Sequence, residues 1–121
     1  MGRKQTDSVF VFDEPTACQD RHGIRLLSGI INALSSEGKL VITITHDMEF
    51  VAENFDRTVC MADKHILMDD KTNRILTDDS LMEKAALKKP NVSYLASEMG
   101  FEGVITSEAF LAALTENSKR L

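Results

Sequence analysis

Short apolar runs and one helical pattern organise the first part of the chain. Residues 8–12 and 40–45 are mostly apolar, β-branched or aromatic, which is typical of strands covered on both faces in a parallel sheet. Between them, residues 21–37 carry apolar side chains at helical spacing, and Gly38 follows where a left-handed residue ends a helix. The apolar stripe of this helix consists of Ile24, Leu27, Ile31 and Leu34. Strand, helix and strand with short connections predict a βαβ unit with parallel strands.

The pattern then changes from a hairpin to a series of short helices. A helix is predicted at residues 48–54 with Asp47 as its cap, and two β-type runs around residues 63–64 predict a hairpin at the end of the sheet. The hairpin strands span residues 58–62 and 65–68, and the later helices lie near residues 80–88, 92–99 and 107–114. We therefore predict an α/β part at residues 1–76 and a small helical appendage at residues 77–121.

Composition and charge exclude several classes of function. The 121 residues include 14 basic and 19 acidic side chains, for a net charge of −5, whereas nucleic-acid binding needs a concentrated basic face. The chain has no apolar run long enough to span a membrane, and its polar first residues do not resemble a signal peptide. Cys18 and Cys60 lack neighbouring ligands, which fits a reduced, intracellular protein. We therefore predict neither a nucleic-acid partner nor direct membrane insertion.

Candidate chemistry lies where two of the predicted strands end. Asp13 and Glu14 follow the first strand, and His46 follows the second. Because ligands bind beyond the carboxyl ends of strands in open α/β sheets, Glu14 and His46 are predicted to face one crevice. One carboxylate can hold Mg²⁺ while its neighbour orients an attacking water, and a histidine can donate a hydrogen bond to a terminal phosphate. An exposed acidic pair and a solvated loop histidine are the structural alternatives.

The sequence around these side chains resembles a known family. The segment from Val9 to Asp20, VFVFDEPTACQD, resembles the Walker B strand and D-loop of the ATP-binding cassette (ABC) ATPases, and residues 45–47 are similar to their H-loop. The hairpin is similar to the stretch that follows in that family, so the resemblance covers residues 9–68. Residues 88–95 and 106–111 resemble the C-terminal region of energy-coupling-factor ATPases, which power the uptake of vitamins or of cobalt and nickel ions.

The resemblance implies a role for each of four residues. Asp13 would assist in coordinating Mg²⁺, and Glu14 would be the general base that polarises the hydrolytic water. His46 would contact the γ-phosphate of ATP. Asp20 would belong to the D-loop, which crosses the interface of a head-to-tail dimer.

The resemblance also implies a fold, cofactors and partners. The fold would be a partial P-loop NTPase sheet, and the complete protein would use ATP and Mg²⁺. Its partners would be a second ATPase subunit and a transmembrane transporter subunit, at the cytoplasmic face of the cell membrane. Gln19 departs from the usual leucine of the D-loop, and Lys64 replaces a glycine that is common in the hairpin turn.

The phosphate-binding half of a nucleotide site does not occur in this sequence. An ABC ATPase holds the triphosphate in a G-x-x-x-x-G-K-[ST] loop, and neither this loop nor the serine-glycine-glycine signature occurs among the 121 residues. We therefore expect the chain alone neither to bind nor to hydrolyse ATP. The strands would also lack neighbours, so we expect exposed apolar edges and either poor solubility or marginal folding.

Three functional hypotheses follow from the sequence. The leading one is a truncated ATP-binding subunit of an ABC importer of the energy-coupling-factor type, from a truncated, split or broken gene. The alternative is a non-catalytic partner that binds and regulates a full-length ATPase subunit, although such a protein has no use for Glu14. An unrelated metal-dependent hydrolase that uses Asp13, Glu14 and His46 would explain these residues but not the sequence around them.

Overall fold

The computed structural model describes residues 8–119, and the side chains of residues 8–118. The chain divides into two compact units between Asp47 and Met48, here named the amino-terminal unit and the carboxyl-terminal unit. Among the helices of residues 8–119, none combines the length and the apolar character that a membrane span requires.

The amino-terminal unit is a strand, a helix and a strand. It consists of β1 (Val9–Asp13), α1 (Arg21–Ser36) and β2 (Leu40–Ile44). The two strands pair in parallel, in a register that runs from Val9 opposite Leu40 to Asp13 opposite Ile44. The predicted βαβ unit with parallel strands is therefore confirmed.

Local hydrogen bonds define both ends of α1. At its start, Asp20 Oδ1 accepts the backbone N–H of Gly23 at 2.8 Å, as the N-cap of a helix does. At its end, Gly38 has a φ of 83°, and the N–H of Lys39 donates to the carbonyl of Leu34 at 3.0 Å. This is the Schellman arrangement, which favours glycine because a side chain is strained at positive φ. The predicted cap at Gly38 is confirmed.

The two faces of the β1–β2 sheet differ in exposure. On one face, the side chains of Phe10, Phe12, Val41 and Thr43 are half-buried. Helix α1 packs against β2. The five apolar side chains of the other face are 43% to 60% exposed. They are Val9, Val11, Leu40, Ile42 and Ile44. The prediction that both faces are covered is therefore wrong for this chain, because the unit has a single helix and one helix covers one face.

The carboxyl-terminal unit combines a hairpin with five helices within its described residues. Its elements are α2 (Met48–Asn54), β3 (Arg57–Ala62), β4 (His65–Lys71), α3 (Thr72–Leu76), α4 (Asp79–Lys84), α5 (Asn91–Glu98) and α6 (Ser107–Lys119). β3 and β4 are antiparallel, and the turn residues Asp63 and Lys64 both have positive φ, at 50° and 67°. The hairpin forms a separate two-stranded sheet, so its predicted place at the end of the first sheet is wrong. The reason is that each described strand bonds to one partner only, β3 to β4 and β1 to β2.

One apolar cluster holds the carboxyl-terminal unit together. It consists of Met48, Val51, Cys60, Ile75, Leu76, Leu81 and Met82. These side chains come from α2, the hairpin, α3 and α4, so the core continues across residues 76 and 77, where the sequence places a boundary. The two compact units therefore meet along the sequence between residues 47 and 48, whereas the predicted segments 1–76 and 77–121 meet between residues 76 and 77. The assignment of those segments to a family core and an appendage stays a prediction.

Candidate functional site

The ends of β1 and β2 bring two sequence-predicted residues together. Because the strands are parallel and Asp13 lies opposite Ile44, the residues that follow each strand emerge side by side. The backbone N–H of Glu14 donates to the carbonyl of Ile44 at 2.7 Å, which extends the pairing by one residue. Glu14 and His46 therefore lie at the same edge of the sheet, as the sequence predicts.

The side chain of Glu14 contacts His46 at two atoms. Glu14 Oε1 accepts the backbone N–H of His46 at 3.2 Å, and it lies 3.1 Å from Nδ1 of the ring. An ionised carboxylate can only accept, so this ring contact needs a hydrogen on Nδ1. If Nε2 is to donate to a phosphate at the same time, the ring must carry both hydrogens and a positive charge. The His46 side chain is 81% exposed and that of Glu14 38%, so both are open to a ligand.

The backbone of Glu14 adopts an unusual conformation. Its φ is 49°, in the left-handed region where a side chain costs about 1–2 kcal/mol. Pro15 follows in a turn that is closed by a hydrogen bond from the N–H of Ala17 to the carbonyl of Glu14 at 3.2 Å. The bonds to Ile44 and His46 hold Glu14 in this conformation.

A second side-chain contact joins the same two loops. Thr16 Oγ1 donates to Asp47 Oδ2 at 3.0 Å, in a partly buried position. The backbone N–H of Asp47 donates to Thr45 Oγ1, also at 3.0 Å. The sequence predicts only a capping role for Asp47 and no separate role for Thr16. No local signal would have shown this pair, because the two residues lie 31 positions apart.

Asp13 and Asp20 take part in neither of these contacts. The side chain of Asp13 is exposed on the same face of β1 as Val9 and Val11, and Asp20 caps α1. Across the described residues, no group of three or more His, Cys, Asp or Glu side chains could hold a metal ion. A single carboxylate still fits Mg²⁺, since this ion is commonly bound by one or two carboxylates together with waters and substrate phosphates.

Comparison with known proteins identifies relatives of this chain. No protein-family profile matches it. It is 35% identical over 92 residues, or 76% of its length, to an ABC transporter ATP-binding protein of Streptococcus agalactiae. It is 31% identical over 109 residues, or 87% of its length, to the energy-coupling factor transporter ATP-binding protein EcfA2 of Mycoplasmopsis synoviae. EcfA2 of Mycoplasma mobile is 32% identical over 98 residues, or 81% of the chain.

These relatives are much longer than the stretch they share with the chain. The matched region makes up 16% of the Streptococcus agalactiae protein and 35% and 32% of the two EcfA2 proteins. The chain therefore spans about a third of their length or less. The family resemblance that the sequence predicts is confirmed.

Proposed function

Because this chain is homologous to part of the ATP-binding proteins of ABC transporters, we propose that it carries the water-activating side of their ATP site. The contact between Glu14 and His46 is the observation that supports this proposal. Their side chains meet at 3.1 Å at the carboxyl ends of two parallel strands, where α/β sheets bind ligands. Both residues stand in segments that resemble motifs of that family.

In this proposal Glu14 is the general base. A general base must lie within hydrogen-bonding distance of the water that it activates. In residues 8–119, the hydrogen bonds that Glu14 accepts through its side chain all reach Oε1, so Oε2 can receive the proton of a water. The partial exposure of this carboxylate gives that water access. His46, bonded to Oε1, orients the carboxylate and presents Nε2 to a terminal phosphate.

Asp13 is the proposed magnesium ligand. Its exposed carboxylate is on the last residue of β1, which pairs with Ile44, one position before the proposed base. A bound Mg²⁺ neutralises the negative charge that develops on the phosphate oxygens during transfer. Asp20 is proposed to face a second ATPase subunit through the D-loop, in addition to its observed bond to the start of α1.

The rest of the nucleotide site is proposed to come from outside these 121 residues. The glycine-rich phosphate loop supplies oriented backbone amides, a lysine and a Mg²⁺ ligand, which together stabilise most of the transferred charge. The chain by itself is therefore proposed not to hydrolyse ATP. The two EcfA2 relatives support an importer of the energy-coupling-factor type. Its partners are then a second ATPase subunit and a transmembrane subunit at the cytoplasmic face of the membrane.

A chimera tests the proposed roles. Residues 9–76 replace the aligned segment of the Mycoplasmopsis synoviae relative, and ATP hydrolysis is measured. We expect an active chimera in which Glu14→Gln lowers kcat about 10²- to 10⁴-fold without weakening ATP binding. Glu37→Gln, an exposed carboxylate at the end of α1, is the matched control and leaves kcat unchanged.

Two outcomes would contradict the proposal. One is a chimera that folds and binds ATP, yet keeps its kcat when Glu14 is replaced by glutamine. The other concerns the chain alone: calorimetric titration with Mg-ATP is expected to show no sub-millimolar binding. Such binding would show that the 121-residue chain itself contains the groups that bind the triphosphate.

A further inference from the structure

Two side-chain contacts join the loops that follow β1 and β2, and they differ in exposure. The contact of Glu14 with His46 is open to solvent, and the His46 side chain is 81% exposed. The contact of Thr16 with Asp47 is partly buried. Water competes strongly for an exposed contact, so an exposed pair contributes little to holding two loops in place. The more sheltered contact is the better constraint on this geometry.

Each partner in the sheltered contact is itself held by its own loop. Thr16 lies inside the turn that Ala17 closes onto Glu14, and Gln19 closes a second turn onto the carbonyl of Thr16 at 3.2 Å. Asp47 is held by the bond from its backbone N–H to Thr45 Oγ1. A hydrogen bond between two such preorganised groups restricts the relative position of both loops.

We propose that the hydrogen bond from Thr16 to Asp47 is a latch that positions Glu14 against His46. Thr16 lies two residues after Glu14, and Asp47 directly follows His46, so the latch joins the same two loops just beyond the pair. Thr16 and Asp47 are positioning residues, since they act through Glu14 and His46. The significance of the latch for ATP hydrolysis rests on the proposed function, whereas the latch itself is a property of this chain.

Hydrogen–deuterium exchange of the 121-residue chain, followed by mass spectrometry at micromolar concentration, tests the latch. Thr16→Val keeps the shape of the side chain and removes the hydroxyl, whereas Thr16→Ser keeps the hydroxyl. We expect Thr16→Val to speed exchange about tenfold in fragments that contain residues 14–17 and 45–47, as for the loss of one hydrogen bond. Thr16→Ser is expected to match the original chain. Thr115→Val, which removes the bond from Thr115 Oγ1 to the carbonyl of Leu111, is the control and leaves both loops unchanged.

A double-mutant cycle separates a latch from independent effects. Asp47→Ala is expected to speed exchange in these fragments at least as much as Thr16→Val does, and the double variant no more than Asp47→Ala alone. Additive effects would overturn the latch. Faster exchange throughout the chain, including residues 91–98, would also overturn it, because it would show a general loss of stability.

The chimera provides a catalytic readout that distinguishes the two proposals. There, Thr16→Val is expected to lower kcat about tenfold with KM for ATP unchanged, and Thr16→Ser to restore it. Thr16→Val without effect on exchange overturns the latch, whatever the chimera does. A chimera that is insensitive to Glu14→Gln overturns the proposed function, even where the exchange data uphold the latch.

Discussion

Among residues 8–47, Ile31 is the one large apolar side chain that is buried, at 2% exposure. In the carboxyl-terminal unit, Ile75 and Leu76 are completely buried at the centre of a seven-residue cluster. The candidate site therefore lies in the unit with the smaller core. The amino-terminal unit instead exposes five apolar side chains on one face of its sheet, from Val9 on β1 to Ile44 on β2.

The comparison shows that chemistry and stability have separate sources in this chain. In the amino-terminal unit, hydrogen bonds at the strand ends hold the site residues, as at Glu14 and Asp47. In the carboxyl-terminal unit, apolar burial holds the helices to the hairpin. A sheet with one bare apolar face loses the free energy that burial of that face would provide. The amino-terminal unit, which bears the candidate site, is thus the part of the chain whose stability would increase most if another protein surface covered it.

The largest expected effect is on the core of the carboxyl-terminal unit. Leu76→Ala removes a completely buried side chain and should lower the free energy of unfolding by about 2–5 kcal/mol. Leu111→Ala, at a position that is 62% exposed, should change it by less than about 0.5 kcal/mol. Urea unfolding followed by circular dichroism measures both. Equal effects at the two positions would contradict the assignment of Leu76 to a buried core.

The two cysteines report on the two units separately. Cys18 is exposed in the amino-terminal unit, and Cys60 is 3% exposed in the core of the other. We expect a thiol reagent to label Cys60 about a hundredfold more slowly than Cys18, which corresponds to an opening free energy of about 2.7 kcal/mol. Labelling of the Cys18→Ser and Cys60→Ser variants shows which cysteine reacts in the fast phase and which in the slow phase. Similar rates would show that the buried cluster opens readily.

The pH dependence of Cys60 sharpens this prediction. Burial, together with the charge of Asp78, raises the pKa of its thiol above the ordinary 9.0. The folded state therefore holds this proton more tightly than the unfolded state. The contribution to stability is complete below pH 9.0 and is lost as the pH rises through the raised value. The free energy of unfolding is measured over this pH range for the original chain and for Cys60→Ser. If it rises with pH in the original chain relative to the variant, the pKa of Cys60 is not raised.

Two matched substitutions test the difference between the faces of the first sheet. Val11→Thr changes the bare face, where Val11 is 60% exposed, and Val41→Thr changes the half-buried face. Val41→Thr should cost about 1–2 kcal/mol because it buries a hydroxyl, whereas Val11→Thr should cost less than about 0.5 kcal/mol. Val11→Thr should also reduce self-association in sedimentation velocity, since exposed apolar faces favour association. The same cost for both would show that the faces are equivalent.

A further small effect is expected at the end of α4. Ala86 has a φ of 57°, in a Schellman cap where the N–H of Leu87 donates to the carbonyl of Met82 at 2.8 Å. Ala86→Gly should therefore stabilise the carboxyl-terminal unit by about 1 kcal/mol, because glycine is unstrained there. Ala85→Gly, one residue earlier and in the right-handed region, should destabilise it by about 0.5–1 kcal/mol. Unfolding midpoints in urea that move in the same direction would contradict this reasoning.

The carboxyl-terminal unit shows where reasoning from sequence failed. α3 (Thr72–Leu76) was not predicted, since five residues are too few to show a helical period. Its stability comes from tertiary contacts: the N–H of Thr72 donates to the carbonyl of Asp56 at 2.9 Å, and Ile75 is completely buried. The same burial joins α3 to the hairpin, which the sequence alone could not show.

The sequence by itself determined the features that depend on neighbouring residues. Strand and helix order in the amino-terminal unit, the cap at Gly38 and the family motifs all follow from short segments. Tertiary structure alone decided which face of the first sheet is bare, because residues 8–12 are apolar at every position but the first and show no alternation. It also decided the contacts around the site, which span 31 residues at Thr16 and Asp47 and 32 at Glu14 and His46. Such contacts form only when the chain folds, since the two strands must first pair to bring their ends together.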